Sequence, residues 1–428
     1  MKQYFSKAMK QLMFLTFAVF VMAGSFSGIS QAAPQKVENV RQSDSSAKSV
    51  EVSWEKILSG VDKYKVYLSE ERDFPVNNTI TEKTVTNNYD SKWFFGLNPN
   101  RTYYVKVAAL NSSGVEFAVS DVITCVTKPD TVPKTYHTES TVSSVTIAWD
   151  APFSGAEYYK VYYKPVNSSV NPIYAGTTAN KSFTVSGLAD DTQYHMYVYA
   201  VRKSASGYEA ISDDKSSAYN TTIAKANRFS QIKLNKWEAG TAKAVITFKS
   251  AASFEQSGIE LEIRSLSGKK IKTVKANQYA SQFTFSSGKI KNKGFKYRLR
   301  YYVTTDTKTC YGPYTKEKVV VAQPKATAKK KSNSSVTLKW NKISGAKSYS
   351  VYIWKEDKFK KAATVKSTSC TLKNLKPRTD YYIYVKANGV KSGNKKYSST
   401  KPVNRSVTEI WYSDHNSYIS NYYKTITK

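Results

Sequence analysis

The chain has 428 residues, 40% of them hydrophobic, and a formal net charge of +33. That length is too great for one core and suits three to five domains of about 100 residues. Thirty-three tyrosines favour pleated strands over helices. Three cysteines, Cys125, Cys310 and Cys370, are odd in number and lack metal-site spacing, which excludes a disulfide scaffold. Stability must come from apolar cores, and Cys370 reads as a small buried residue of one of them.

In chain order, Lys2, Lys7 and Lys10 precede an apolar stretch from Leu12 to Met22 and the small-residue site Ser30-Gln31-Ala32. This predicts a signal peptide over 1–32, cleaved after Ala32, and hence an exported protein. The apolar stretch is too short to cross a ~30 Å hydrocarbon core, and no long apolar run follows it. No membrane span is expected in the mature chain. Nor is a lipoprotein anchor, because no cysteine adjoins the cleavage site.

An internal repeat then sets the organisation. Four alternating segments end in an aromatic residue: Val50-x-Val52-x-Trp54, Val145-x-Ile147-x-Trp149, Ala244-x-Ile246-x-Phe248 and Val336-x-Leu338-x-Trp340. The aromatics lie 95, 99 and 92 residues apart. Period-2 alternation puts each on the same face as the aliphatic residues before it. A second strand follows in each repeat: Tyr64-x-Val66-x-Leu68, Tyr159-x-Val161-x-Tyr163, Ile259-x-Leu261-x-Ile263 and Tyr349-x-Val351-x-Ile353. A third signature places Tyr103, Tyr194 and Tyr381 six residues after Leu97, Leu188 and Leu375. The third repeat diverges, with Ile290 seven residues before Tyr297. A further alternating strand starts at each of these tyrosines. The predicted structural core therefore holds Trp54, Trp149, Phe248, Trp340, Tyr103, Tyr194, Tyr297 and Tyr381.

A Trp-ending strand, a Tyr-x-Val strand and a Leu-x-Pro-x-Thr-x-Tyr corner (Leu375, Pro377, Thr379, Tyr381) resemble the fibronectin type III domain. The resemblance runs from about residue 35 to 408 and is weakest in the third repeat. It implies an all-β chain of four tandem seven-stranded Greek-key β-sandwiches, immunoglobulin-like but without the inter-sheet disulfide. The expected domains span 35–127, 130–223, 226–321 and 323–408, with an aromatic-rich tail at 409–428. Short linkers at Lys128-Pro129-Asp130, Ala224-Lys225-Ala226 and Gln323-Pro324-Lys325 favour a semi-rigid rod.

No catalytic pattern emerges, and no cofactor or metal is expected. His137, His195 and His415 fall in a linker region, on a strand and in the tail, with no second ligand at metal spacing. His195 is expected to face solvent. Asp190-Asp191 and Asp213-Asp214 read as solvated turn residues. Nucleophile elbows, phosphate loops and dinucleotide fingerprints are absent. The expectation is a protein that is not an enzyme.

Charge is stepped along the chain. Residues 34–128 hold twelve basic and twelve acidic side chains, and 129–223 hold seven and nine. Residues 224–322 hold twenty and six, and 323–408 hold twenty-one and three. A field of that size concentrates polyanions, and lysine runs favour diffuse attraction over base-specific reading of nucleic acid. Lys329, Lys330, Lys331, Lys360, Lys361, Lys395 and Lys396 are the candidate polyanion contacts. Teichoic acid, acidic polysaccharide or another anionic polymer of a cell wall would be the partner, with surface proteins as further partners. Tyr352, Trp354, Tyr382 and Tyr384 form a candidate aromatic face, whose rings can stack sugars or simply support one another across strands. The expected function is a secreted or cell-surface binding and spacer protein. Carbohydrate binding or adhesion through the aromatic faces is the alternative.

Overall fold

Inward-facing alternation fixes the strands, and pairing order then fixes the sandwich. A computed structural model describes residues 36–399, except 76–79, 238–239, 254, 333, 356–357 and 377–380. The predicted signal peptide, the tail with His415, and the corner residues Pro377 and Thr379 lie outside the described residues. Among those described, every regular element is a strand except one 3-10 turn at Ala226–Arg228.

The first repeat contains β1 (Arg41–Ser45), β2 (Ser49–Ser53), β3 (Lys63–Ser69), β4 (Ile80–Thr86), β5 (Ser91–Phe95), β6 (Thr102–Leu110), β7 (Glu116–Val119) and β8 (Ile123–Val126). One sheet runs β1-β2-β5 and the other β4-β3-β6-β7, with β8 also pairing β6. All these ladders are antiparallel. Because β7 and β8 flank the same partner, they are two halves of one broken strand. The count is therefore seven strands. The second and third repeats have the same two sheets in the same order, although the third diverged most in sequence. In the fourth, Ala326–Ser332, Ser335–Trp340 and Ser369–Leu372 form one sheet and Lys358–Val365, Ser348–Lys355 and Ile383–Asn388 the other.

Each sandwich closes over its own apolar core. Trp54, Trp149 and Phe248 are each 3% exposed and Trp340 is 7% exposed. The three indoles lie 5.3, 5.1 and 5.5 Å from Tyr64, Tyr159 and Tyr349. Cys125 and Cys310 are buried, and Cys370 is half-buried against the fourth core. Burial pushes the Cys125 thiol up to about 12.

The break in the last strand has one chemistry in the first three repeats, and the fourth carries the same pair of bonds. Where that strand turns away, a hydroxyl takes its place beside the neighbouring strand. Val107 donates its amide to Ser120 Oγ at 2.9 Å, and Ser120 donates its own amide back to the Val107 carbonyl at 2.9 Å. Ser212 and Ala200, Thr315 and Leu299, and Ser399 and Ala387 make the same exchange. A hydroxyl is what satisfies the strand amide that the break would otherwise orphan.

The corner tyrosines lock the crossovers. Tyr103, Tyr194 and Tyr381 accept from the amides of Asn98, Ala189 and Lys376 at 2.9, 2.9 and 2.7 Å. Tyr297 is equally buried, and no such bond to its hydroxyl occurs among the described residues; burial raises its phenol to about 12. Tyr103→Phe is therefore expected to cost about 1–2 kcal/mol, while Tyr297→Phe stays within about 0.5 kcal/mol. Hydrogen exchange along Thr102–Leu110 and Gly294–Thr304 in the two variants measures the difference, and equal losses would contradict it.

Two expectations about polar residues need correction. His137 does not sit in a linker. It lies in the strand Thr135–Ser140, 8% exposed, with its ring bonded to Ser140 Oγ at 2.7 Å and its amide donating to Asp306 of the third repeat at 2.7 Å. Burial lowers its pKa, against the opposing pull of Asp306. Asp191 is not a solvated turn residue either, since its side chain is 3% exposed. It accepts from the Ser253 amide and hydroxyl, both at 2.8 Å, and from Gln256 at 3.1 Å. Its neighbour Asp190 pairs with Lys225 and Arg228. By contrast Asp213 is well exposed, holding Lys128 at 2.7 Å.

Asp191 belongs to a series. Asn100, Asp191 and Asn292 all occupy the left-handed region, at φ 54, 56 and 53°, just before the corner strand of their repeats. Asx side chains tolerate that conformation better than other residues. Each reaches into the following repeat: Asn100 donates to the Ser154 carbonyl at 2.8 Å, and Asp191 takes Ser253. Asn292 accepts from the Asn341 side chain at 2.7 Å and, through its carbonyl, from the Ser344 amide at 3.0 Å. Every junction between the described repeats thus reuses one corner.

Candidate functional site

The pleat sorts the charge of the third repeat. Outward positions of Gly258–Ser265 and Gly294–Thr304 set Glu260 opposite Arg300 and Glu262 opposite Arg298. Arg300 donates twice to Glu260 at 2.8 and 2.7 Å, and Arg298 twice to Glu262 at 3.0 and 2.9 Å. Tyr314 donates to Glu260 at 2.9 Å, and its ring lies 3.7 Å from the Arg298 guanidinium and 4.3 Å from that of Arg300. Glu260 and Glu262 end up 4% and 6% exposed. Glu317 holds Lys296, Glu255 takes Gln193, and Asp306 takes the His137 amide. Every described carboxylate of residues 224–322 therefore has a polar partner, and none of them pairs with Lys269, Lys270, Lys289 or Lys293.

The lysines singled out in the sequence are not gathered into one pocket. Lys329 and Lys331 are exposed on Ala326–Ser332; the side chain of Lys330, on the same strand, lies outside the described residues. Lys360 and Lys361 sit on Lys358–Val365 and Lys395 and Lys396 on Lys395–Tyr397. These strands belong to three different sheets. They spread charge over the domain rather than focusing it.

The aromatic face of the fourth repeat is assembled, and then largely covered by itself. Tyr352 lies opposite Tyr384 across the ladder, with rings 4.7 Å apart and 7° from parallel. Phe359, opposite Trp354, packs edge-on against both Trp354 and Tyr384 at 4.9 and 4.8 Å. As a result Tyr384 is only 4% exposed. Tyr382 is half-buried and joins the group through its carbonyl, which accepts the Trp354 amide at 2.8 Å. Phe359 was missed from the sequence because the basic run Lys358-Phe359-Lys360-Lys361 hides its alternation.

A more open aromatic surface lies on the second repeat. Tyr162 stands 5.4 Å from Tyr174 and 5.7 Å from Tyr199, and Tyr174 is 54% exposed. The first two rings line a groove of about 580 Å³ with Tyr158, Lys160 and Glu209. Glu209 accepts from Tyr158 at 2.5 Å and pairs with Lys160, contacts that hold its carboxyl below the usual range. On the same face His195 is half-buried, stacked 4.2 Å from Tyr219 and bonded to the Tyr197 hydroxyl at 2.9 Å. No group of three metal-ligating side chains occurs among the described residues, and no described helix is long and apolar enough to cross a membrane.

The two-sheet Greek-key sandwich, repeated with one strand order, defines an immunoglobulin-like class of β protein. The model of the fibronectin type III domain matches residues 32–126, 132–212 and 322–403, and the chain belongs to that family. Residues between the last two matches carry the same sheet order. The chain is similar to Ig-like and fibronectin type-III domain-containing proteins 1 and 2 of Caenorhabditis elegans. Each is 29% identical over 197 residues, covering 41% of this chain. The chain spans only 18% and 12% of the length of those relatives. Among solved structures it is similar to a two-domain segment of chicken tenascin, with 17% identity, 44% of this chain and all of that one covered, and a TM-score of 0.26. The FN1–FN3 domains of chicken CNTN1 match with 15% identity, 68% and 99% coverage, and a TM-score of 0.29.

Proposed function

We propose that this chain is a secreted, non-catalytic binding and spacer protein of bacterial type, held at an anionic cell surface by its basic C-terminal half. The proposed domains are 35–127, 130–223, 226–321 and 323–408, after a signal peptide over 1–32. The observation that carries the reading is the charge step at residue 224, together with the engagement of every described carboxylate in 224–322. Lysines without counter-charge raise the local concentration of a polyanion and speed its capture. The Asx-built junctions support the spacer role, because each adds bonds that resist bending between neighbours.

Wall fragments carrying teichoic acid or acidic polysaccharide are expected to retain the full chain at low salt and release it steeply as salt rises. Residues 34–223 alone should pass through. Equal retention of both pieces would remove the charge argument. The open groove at Tyr162 and Tyr174 favours a second reading, carbohydrate binding, on the second repeat rather than at Tyr352, Trp354, Tyr382 and Tyr384. Glycan binding that survives high salt and falls on Tyr174→Ala would select it.

A further inference from the structure

A concentration of unpaired positive charge in a shaped site lies where the third repeat meets the fourth. A cleft of about 440 Å³ opens between the turn at 265–269, the turn at 287–293 and Ser344 of the next repeat. Lys269, Lys270, Lys289 and Lys293 line it and are all exposed. None has a carboxylate partner among the described residues, and the acids of the same repeat are committed elsewhere. Four ammonium groups around one cleft repel one another, so an anion there relieves as well as attracts.

The cleft is also held in shape. Asn292, inside the second turn, ties its two sides together through Asn341 and Ser344. Ser392 of the fourth repeat donates to the Leu266 carbonyl at 2.8 Å, while the Leu266 side chain packs on the fourth core. Gly294 lets Leu266 sit where it does. A Cβ at that position would meet the Val320 carbonyl at 2.6 Å and the Leu266 side chain at 3.0 Å.

The lining indicates the chemistry of the ligand. It contains lysines and serine hydroxyls but no arginine, so it offers point charges and hydroxyl donors, both of which phosphate oxygens accept. It contains no aromatic ring on which a nucleobase could stack. Ser265, Ser267 and Ser344 supply hydroxyls for the hydroxyl groups of polyol links, and Leu266 and Ile271 a wall for their C–H faces. We infer that this junction cleft binds successive phosphates of a linear polyol-phosphate polymer. The inference rests on the polyanion reading and gives it an address.

The test uses the full chain and a poly(glycerol phosphate) oligomer as probe, with affinity measured calorimetrically over a range of salt. Lys269→Gln, Lys270→Gln, Lys289→Gln and Lys293→Gln are combined in one variant. A charge-matched control combines Lys233→Gln, Lys243→Gln, Lys249→Gln and Lys339→Gln, all at exposed positions. The cleft variant should bind at least about tenfold more weakly, and the slope of log affinity against log salt should fall by about three. The control should lose clearly less. Equal loss in both variants overturns the cleft but leaves diffuse attraction standing. Absence of binding by the unmodified chain overturns the polyanion reading itself. Equal affinity for polygalacturonate or oligothymidylate of matched charge overturns the polyol-phosphate assignment.

Discussion

Arg300→Ala is expected to destabilise the third repeat by about 3 kcal/mol, although it removes a cation from a strongly basic region. Glu260 is 4% exposed and takes two bonds from Arg300 and one from Tyr314. Without the guanidinium the carboxylate stays buried with only the Tyr314 hydroxyl for compensation. That residual burial costs far more than the repulsion relieved elsewhere. The Arg300 side chain is 22% exposed, so the loss belongs at the lower end of the range for a broken buried pair. Replacing both partners at once, Glu260→Leu with Arg300→Met, should come close to neutral, because neither charge is then left stranded. Unfolding of a chain of several domains is not two-state, so hydrogen exchange along Gly294–Thr304 is the suitable measurement. A loss below about 1 kcal/mol would mean that water screens the pair as it does a surface one.

Trp54→Ala should cost about 3–5 kcal/mol, by lost transfer energy and by the cavity left under the first sandwich. The indole is 3% exposed, yet its Nε1 has no hydrogen-bond partner among the described residues. Its worth is therefore packing, including the Tyr64 ring 5.3 Å away. Trp54→Phe keeps an aromatic ring at the site and gives up no bond, so a loss of about 1–2 kcal/mol is expected. Exchange protection on β2 and β6 would report both variants. If Phe proves as damaging as Ala, the indole nitrogen has a partner after all.

The inward half of this molecule was largely legible in its sequence. A side chain on a strand points to one face or the other, so Val50-x-Val52-x-Trp54 identified a buried face with no knowledge of what covers it. The tyrosine corners were legible for a similar reason, since the bond from Tyr103 to Asn98 spans only five residues. Outward residues behaved differently. Tyr384 and Tyr352 looked alike, but Phe359 on a third strand covers one of them. Ser120, Ser212, Thr315 and Ser399 gave no signal, because a hydroxyl matters there only once a strand breaks opposite it. Asp191 and His137 read as loop and linker residues, and their partners Ser253 and Asp306 lie in another repeat.

The basic half illustrates the same division. The order of residues alone determined that charge rises sharply after residue 224 and that four apolar cores are spaced along the chain, and the cysteine count that disulfides do not hold them together. Only the tertiary structure decided which charges remain available. Cross-strand pairing commits Glu260 and Glu262 to Arg300 and Arg298, and the Asn292 junction sets Lys269, Lys270, Lys289 and Lys293 around one cleft. Local periodicity governs the direction of a side chain, whereas its counter-charge is chosen by segments distant in sequence.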